Sequence, residues 1–127
     1  MSNFTRVNFE EIEPATAEDG FELRFSRKYI DSRDLGISRV RLDPGTRSPV
    51  AHRHREQEEA YVVVTGSGRA LLDGELVAVG AGDVIRVAPQ AVRAFEAGDE
   101  GLELIAVGGP KPEGGDGEIV EAAWPDA

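Results

Sequence analysis

Short runs of alternating or continuous apolar residues, each closed by glycine within a few positions, recur from residue 21 to residue 107. A period of two puts alternate side chains on opposite faces of an extended chain. Such runs read as strands, and their close spacing is the signature of an all-β sandwich or barrel. Strands are predicted over residues 21–29, 36–42, 51–55, 59–65, 69–72, 75–79, 83–87, 93–97 and 102–107. No stretch carries the 3.6-residue period of an amphipathic helix longer than two turns. Asp73-Gly74, between Leu72 and Glu75, is the strongest hairpin signal, because a type I′ turn needs positive φ at both central residues. Gly66-Ser67-Gly68, Gly80-Ala81-Gly82 and Gly98-Asp99-Glu100-Gly101 read as further turns. Roughly eight to ten strands of this kind suit a jelly roll, in which two sheets enclose a tapering cavity.

The ends differ from this pattern. Residues 1–20 are mostly polar and acidic, with an edge strand expected over residues 6–9. Residues 109–127 form a glycine- and proline-rich acidic tail, and the stretch from Gly108 to Gly117 is too rich in both for regular structure. Trp124, beyond it, is expected to dock on its own barrel or on a neighbouring subunit, since a large aromatic gains most when buried. The organisation is therefore one domain, residues 21–108, between two short terminal segments, and 127 residues suffice for a core of that size.

Charge and composition narrow the partners. Twenty-four acidic residues against 14 basic ones leave a formal charge of −10, which opposes binding to nucleic acid or to anionic lipid. The arginines are scattered among strands, without the basic stripe used for phosphate backbones. There is no cysteine, which removes disulfides, thiolate nucleophiles and thiolate metal sites. With no apolar leader and no run long enough to span a membrane, a cytoplasmic protein is expected. Nucleophile-elbow, phosphate-loop and dinucleotide motifs are missing as well.

The chemistry concentrates on the only two histidines, His52 and His54. At positions i and i+2 of a strand, two imidazoles project from one face with Cα atoms about 6.6 Å apart. Two rings can close that span around a cation through bonds of about 2.0–2.2 Å, with a carboxylate from the next strand as third ligand.

The string from Gly45 to Gly66 resembles the first motif of the cupin superfamily: glycine, a spacer, H-x-H, three or four residues, Glu, six residues, Gly. The resemblance extends over residues 36–108 and implies a single-domain cupin-type jelly-roll β-barrel. It also implies that His52, His54 and Glu59 are metal ligands. Glu58 breaks the spacing to Gly66, and alternation separates it from the face shared by Glu59, Tyr61, Val63 and Thr65. A divalent metal, Ni, Zn, Fe or Mn, is the implied cofactor.

The family's second motif normally ends in a fourth, histidine ligand. Counted from Gly82, the same frame here places Ala88 at its proline, Gln90 at its glycine, Ala97 at its asparagine and Arg93 at the histidine. A guanidinium stays protonated and has no lone pair to give a metal. Three roles remain open for Arg93: pairing with Glu59 to close a metal-free site, pairing outward with another acid, or holding an anionic ligand group. Phe95 and Tyr61 are expected in the pocket wall. The functional expectation is a small-molecule-binding barrel for an anionic or oxygen-rich ligand. A metal-dependent dioxygenase, isomerase or decarboxylase and a non-catalytic sensing or storage module stand as alternatives. A homodimer is expected from the exposed edge and from the habit of small cupins.

Overall fold

The computed structural model describes residues 3–126. Among the described residues, nine strands form one sheet that curls on itself: β1 (Thr16–Glu18), β2 (Phe21–Phe25), β3 (Gly36–Leu42), β4 (Ala51–His54), β5 (Glu59–Leu72), β6 (Glu75–Gly80), β7 (Val84–Val87), β8 (Arg93–Gly108) and β9 (Gly117–Val120). All pairings are antiparallel, in the order β1-β2-β3-β8-β4-β9, while β5 pairs with β6, β7 and β8. The long strands β5 and β8 make the curl. The second half of β8 lies between β3 and the start of β5, and its first half runs beside residues 68–72.

Gly66-Ser67-Gly68 and Gly98–Gly101 are not turns, as their composition led us to expect. They are corners inside two continuous strands, with register shifts between Val63 and Thr65 and between Gly66 and Gly68. A Cβ on Gly68 would fall 1.9 Å from the Glu96 carbonyl oxygen, so at this corner the strands approach more closely than any side chain allows. The Asp73-Gly74 hairpin forms as expected, with φ of 50° and 83°.

Three other elements differ from expectation. The strand starting at Phe21 stops at Phe25, and Arg27–Ile30 form a single helical turn, α1. Residues 6–9 make no edge strand. Asn8 instead caps a 3₁₀ turn over Phe9–Glu11, its side chain accepting from Glu10 N while Glu11 accepts from Asn8 N, which occupies the donors that strand pairing would use. The edge falls to β1. The tail supplies a strand, β9, which pairs with β4.

Two apolar clusters hold the fold. The larger gathers Val40, Leu42, Tyr61, Val63, Phe95, Leu102 and Leu104 between the curled faces. The smaller brings Trp124 onto Ala51, Leu71 and Ala94, so the tail docks on its own barrel. Arg47 stacks over the Trp124 ring at 4.6 Å, and Asp126 is held by Arg47 and Arg69.

Candidate metal centre

Strand β4 opens with Ala51 fully buried, so alternation turns His52 and His54 together to the opposite face. Glu59 opens β5, and Arg93 opens β8 directly opposite His52 in the ladder. Directly paired residues share a face, so Arg93 and, two residues on, Phe95 look toward the same interior. The ligand atoms of His52, His54 and Glu59 all lie within 4.8 Å of one another, and the three residues could hold a metal ion. His52 Nε2 is 3.5 Å and His54 Nε2 3.3 Å from Glu59 Oε1.

A residue from the tail completes the arrangement. Asp116 is buried, and its Oδ2 accepts from the backbone N–H of Glu56 at 2.6 Å and of Gln57 at 2.9 Å. Its Oδ1 lies 2.9 Å from His54 Nδ1. Burial alone would raise its pKa, but the bonds from Glu56, Gln57 and His54 outweigh that and lower it to about 2. An ionised carboxylate only accepts, so His54 carries its proton on Nδ1 and, when neutral, turns the Nε2 lone pair toward Glu59. That nitrogen is buried without a hydrogen-bond partner among the described residues.

Two electron-rich atoms facing each other at 3.3 Å demand a positive charge at the contact. One answer is a second proton on His54, whose pKa is raised by Glu59 against the cost of burial, with Asp116 adding to the rise and Arg93 opposing it. The other is a metal ion, for which an imidazole oriented by a carboxylate behind it is the usual ligand. Glu59 itself is disfavoured as an anion by burial, yet the adjacent His52 and His54 imidazoles and the Tyr61 hydroxyl hold its carboxyl well below the usual range. The Tyr61 hydroxyl donates to Glu59 Oε1 at 2.8 Å. Burial pushes the Tyr61 pKa up, and Glu59 adds to it, so the phenol stays protonated as a donor.

Arg93 is 1% exposed, which places it inside the barrel. Its Nη1 donates to the Pro89 carbonyl and its Nη2 to the Ala88 carbonyl, both at 3.2 Å, while Nε has no partner. It forms no salt bridge with Glu59 or any other acid among the described residues. Tyr61 and Phe95 pack against each other with ring centroids 4.8 Å apart and ring planes inclined by 54°. Asp116 is the one residue of this centre that sequence reasoning did not reach. Its only sign was an aspartate set among glycines in a segment read as irregular.

A cavity of about 920 Å³ opens from these residues, bounded by β2, β3, β4 and the tail. Residues 38–108 match the cupin domain family, more than half of the chain, and the protein belongs to that family. Solved structures agree on the fold. A cupin protein from Bacteroides fragilis superposes with a TM-score of 0.71 at 23% identity, over 87% of this chain and 86% of that one. Pac13 of Streptomyces, a nucleoside dehydratase of which a variant structure contains uridine, gives a TM-score of 0.74 at 23% identity over 92% and 91%. Oxalate decarboxylase of Bacillus subtilis gives 0.75 at 23% identity over 90% of this chain, which spans 32% of that enzyme. No curated protein sequence matches the chain.

Proposed function

We propose that this barrel binds a divalent metal through His52, His54 and Glu59 and, beside it, a small anionic or oxygen-rich molecule. The observation that carries this reading is the buried, unpartnered Nε2 of His54, aimed at Glu59 by the Asp116 bond behind it. When bound, the metal would polarise an oxygen of the ligand as a Lewis acid. The chain's own groups do the rest: Asp116 fixes the His54 tautomer, Tyr61 fixes a Glu59 oxygen, and Arg93 supplies a positive charge that no acid among the described residues pairs with.

A binding role fits better than hydrolysis or proton-transfer catalysis. Tyr61 is committed to Glu59, and each histidine is committed to the metal group, leaving no spare general base. An isomerase, decarboxylase or dioxygenase activity, where the metal itself carries the chemistry, is the second reading, and the structural likeness to a dehydratase and a decarboxylase favours it. We place the working form in the cytoplasm as a homodimer. The cysteine-free acidic chain and the exposed edge of β1 support this, and among the described residues no helix is long and apolar enough to cross a membrane. Light scattering should return twice 13.7 kDa.

Metal analysis of the purified protein by mass spectrometry tests the central point. Near-stoichiometric Ni, Zn, Fe or Mn is expected, lost in both His52→Ala and His54→Ala. Stoichiometric metal in the double variant would move the site elsewhere.

A further inference from the structure

We propose that the ligand of this site is a monocarboxylate with a flat or slender apolar body, seated in a lane that crosses the sheet from Tyr61 to Phe25. This deepens the metal-and-anion reading above and rests on it.

Charge sets the head group. Around the two histidines, the charges are the half-buried Glu59 and the buried Asp116 and Arg93, which leave one net negative charge. A divalent cation turns this into one net positive charge. Buried uncompensated charge is costly, and a single carboxylate cancels it, whereas a dianion overshoots. At the cavity rim Arg27, Lys28 and Lys111 face Glu13 and Glu18, a near balance in a chain of charge −10, so the rim does not repel an acid as the rest of the surface does.

The ladder sets the body. Tyr61 pairs with Ala106, Ala106 with Ser38, and Ser38 with Phe25, so these four side chains form one row on the inner face. Tyr61 and Phe25 stand about 14 Å apart, three strand spacings of about 4.8 Å, with only a methyl and a hydroxymethyl group between them. All four line the cavity. The adjacent row runs from Glu59 to two glycines, Gly108 and Gly36, but both glycines are already covered. A Cβ on Gly108 would meet the Gln57 amide at 2.6 Å, and one on Gly36 would meet the Arg27 guanidinium at 2.8 Å. The open lane is therefore the Ala106–Ser38 row.

Its outer end is apolar and wet. Phe21, Leu23 and Phe25 share one face of β2, Phe25 is 53% exposed, and Ile119 on β9 is 71% exposed across the mouth. An apolar surface that is concave and continuous with a buried polar centre is the form of a small-molecule site. A second copy of the chain, the rival occupant of this rim, has no access to the charge at the base.

Titration calorimetry on the Ni²⁺-loaded protein tests this with 3-phenylpropionate, 3-phenylpropionamide and propionate. The aromatic acid should bind at least about ten-fold more tightly than either the neutral amide or the short acid. Ser38→Leu, which fills the lane at a half-buried position, should weaken 3-phenylpropionate at least about ten-fold and leave both propionate and the Ni²⁺ titration unchanged, so that metal binding reports the fold. Equal affinities for the three probes, or a Ser38→Leu protein that binds the aromatic acid normally, would overturn the inference while the metal reading stands. Absence of Ni²⁺ binding in the wild-type chain would remove both. A concentration-dependent mass abolished by Phe25→Asp, together with equal probe affinities, would assign the rim to a second copy instead.

Discussion

Two clusters of charged residues in this molecule use similar side chains and end in opposite states. On the outside, Arg47 and Arg69 each bond Glu96 and Asp126, at distances of 2.5–2.9 Å, and neither guanidinium has a buried nitrogen without a partner among the described residues. Inside, His54 Nε2 and Arg93 Nε are buried and unanswered, and Arg93 has no acid partner among the described residues. The outer cluster is complete by itself and clasps the tail onto the barrel. The inner one is incomplete, and folding maintains it at a cost, because an unpaired buried polar atom costs about 1–3 kcal/mol. The contrast supports the proposal that the inner cluster keeps a place for a cation.

The strongest way to break this contrast is at Asp116, where the tail meets the inner cluster. Asp116→Ala leaves two backbone N–H groups and His54 Nδ1 without an acceptor, and should cost about 3 kcal/mol in urea unfolding. Metal affinity should drop about 10–100-fold with it, read by competition with a chromophoric chelator. Unchanged metal affinity in a folded Asp116→Ala protein would make the carboxylate merely structural.

Arg93→His sharpens the contrast from the other side. It removes the unpaired cation and sets a third imidazole beside His52 on the same face, so metal should bind about ten-fold more tightly and carboxylates more weakly. Arg93→Lys keeps the charge without the planar fork and should weaken carboxylate binding by about 1–3 kcal/mol. An Arg93→His protein with wild-type metal affinity would contradict the inward placement of this side chain.

Acid should reach the inner cluster through Asp116. Its pKa is lowered in the folded state from the ordinary 3.8 to about 2, so the stabilisation is full above the unfolded value and is lost as pH falls from about 4 through 2. The gap in urea midpoint between wild type and Asp116→Asn should accordingly narrow between pH 5 and pH 2.5. A gap that widens on acidification would reverse the sign.

The smallest effect belongs to the outer clasp. Asp126→Asn should lower Tm by no more than about 4 °C, and 1 M salt should erase the difference, as for other exposed ion pairs. A larger, salt-insensitive loss would mean that the clasp, rather than Trp124 burial, keeps the tail in place.

The residues that make strands, the Asp73-Gly74 hairpin and the trio His52, His54 and Glu59 that could hold a metal ion were legible in the chain, because alternation, turn stereochemistry and motif spacing are local properties. The corners were not: glycine pairs signal tight backbone conformation, and whether that means a turn or two strands passing at contact distance depends on residues far along the chain, as Gly68 and Glu96 show only when β5 meets β8. Arg93 was open among three roles because alternation cannot say which face of a strand lies inward; its pairing with His52 settled the direction. Asp116 lay outside local reach altogether. An aspartate among glycines has no intrinsic role, and it becomes the support of His54 only because β9 pairs with β4 and burial excludes water from the contact. What the sequence determined by itself was which groups could bind a cation. Tertiary structure alone decided which of their atoms would be left without a partner, since burial and hydrogen-bond satisfaction are properties of the folded neighbourhood.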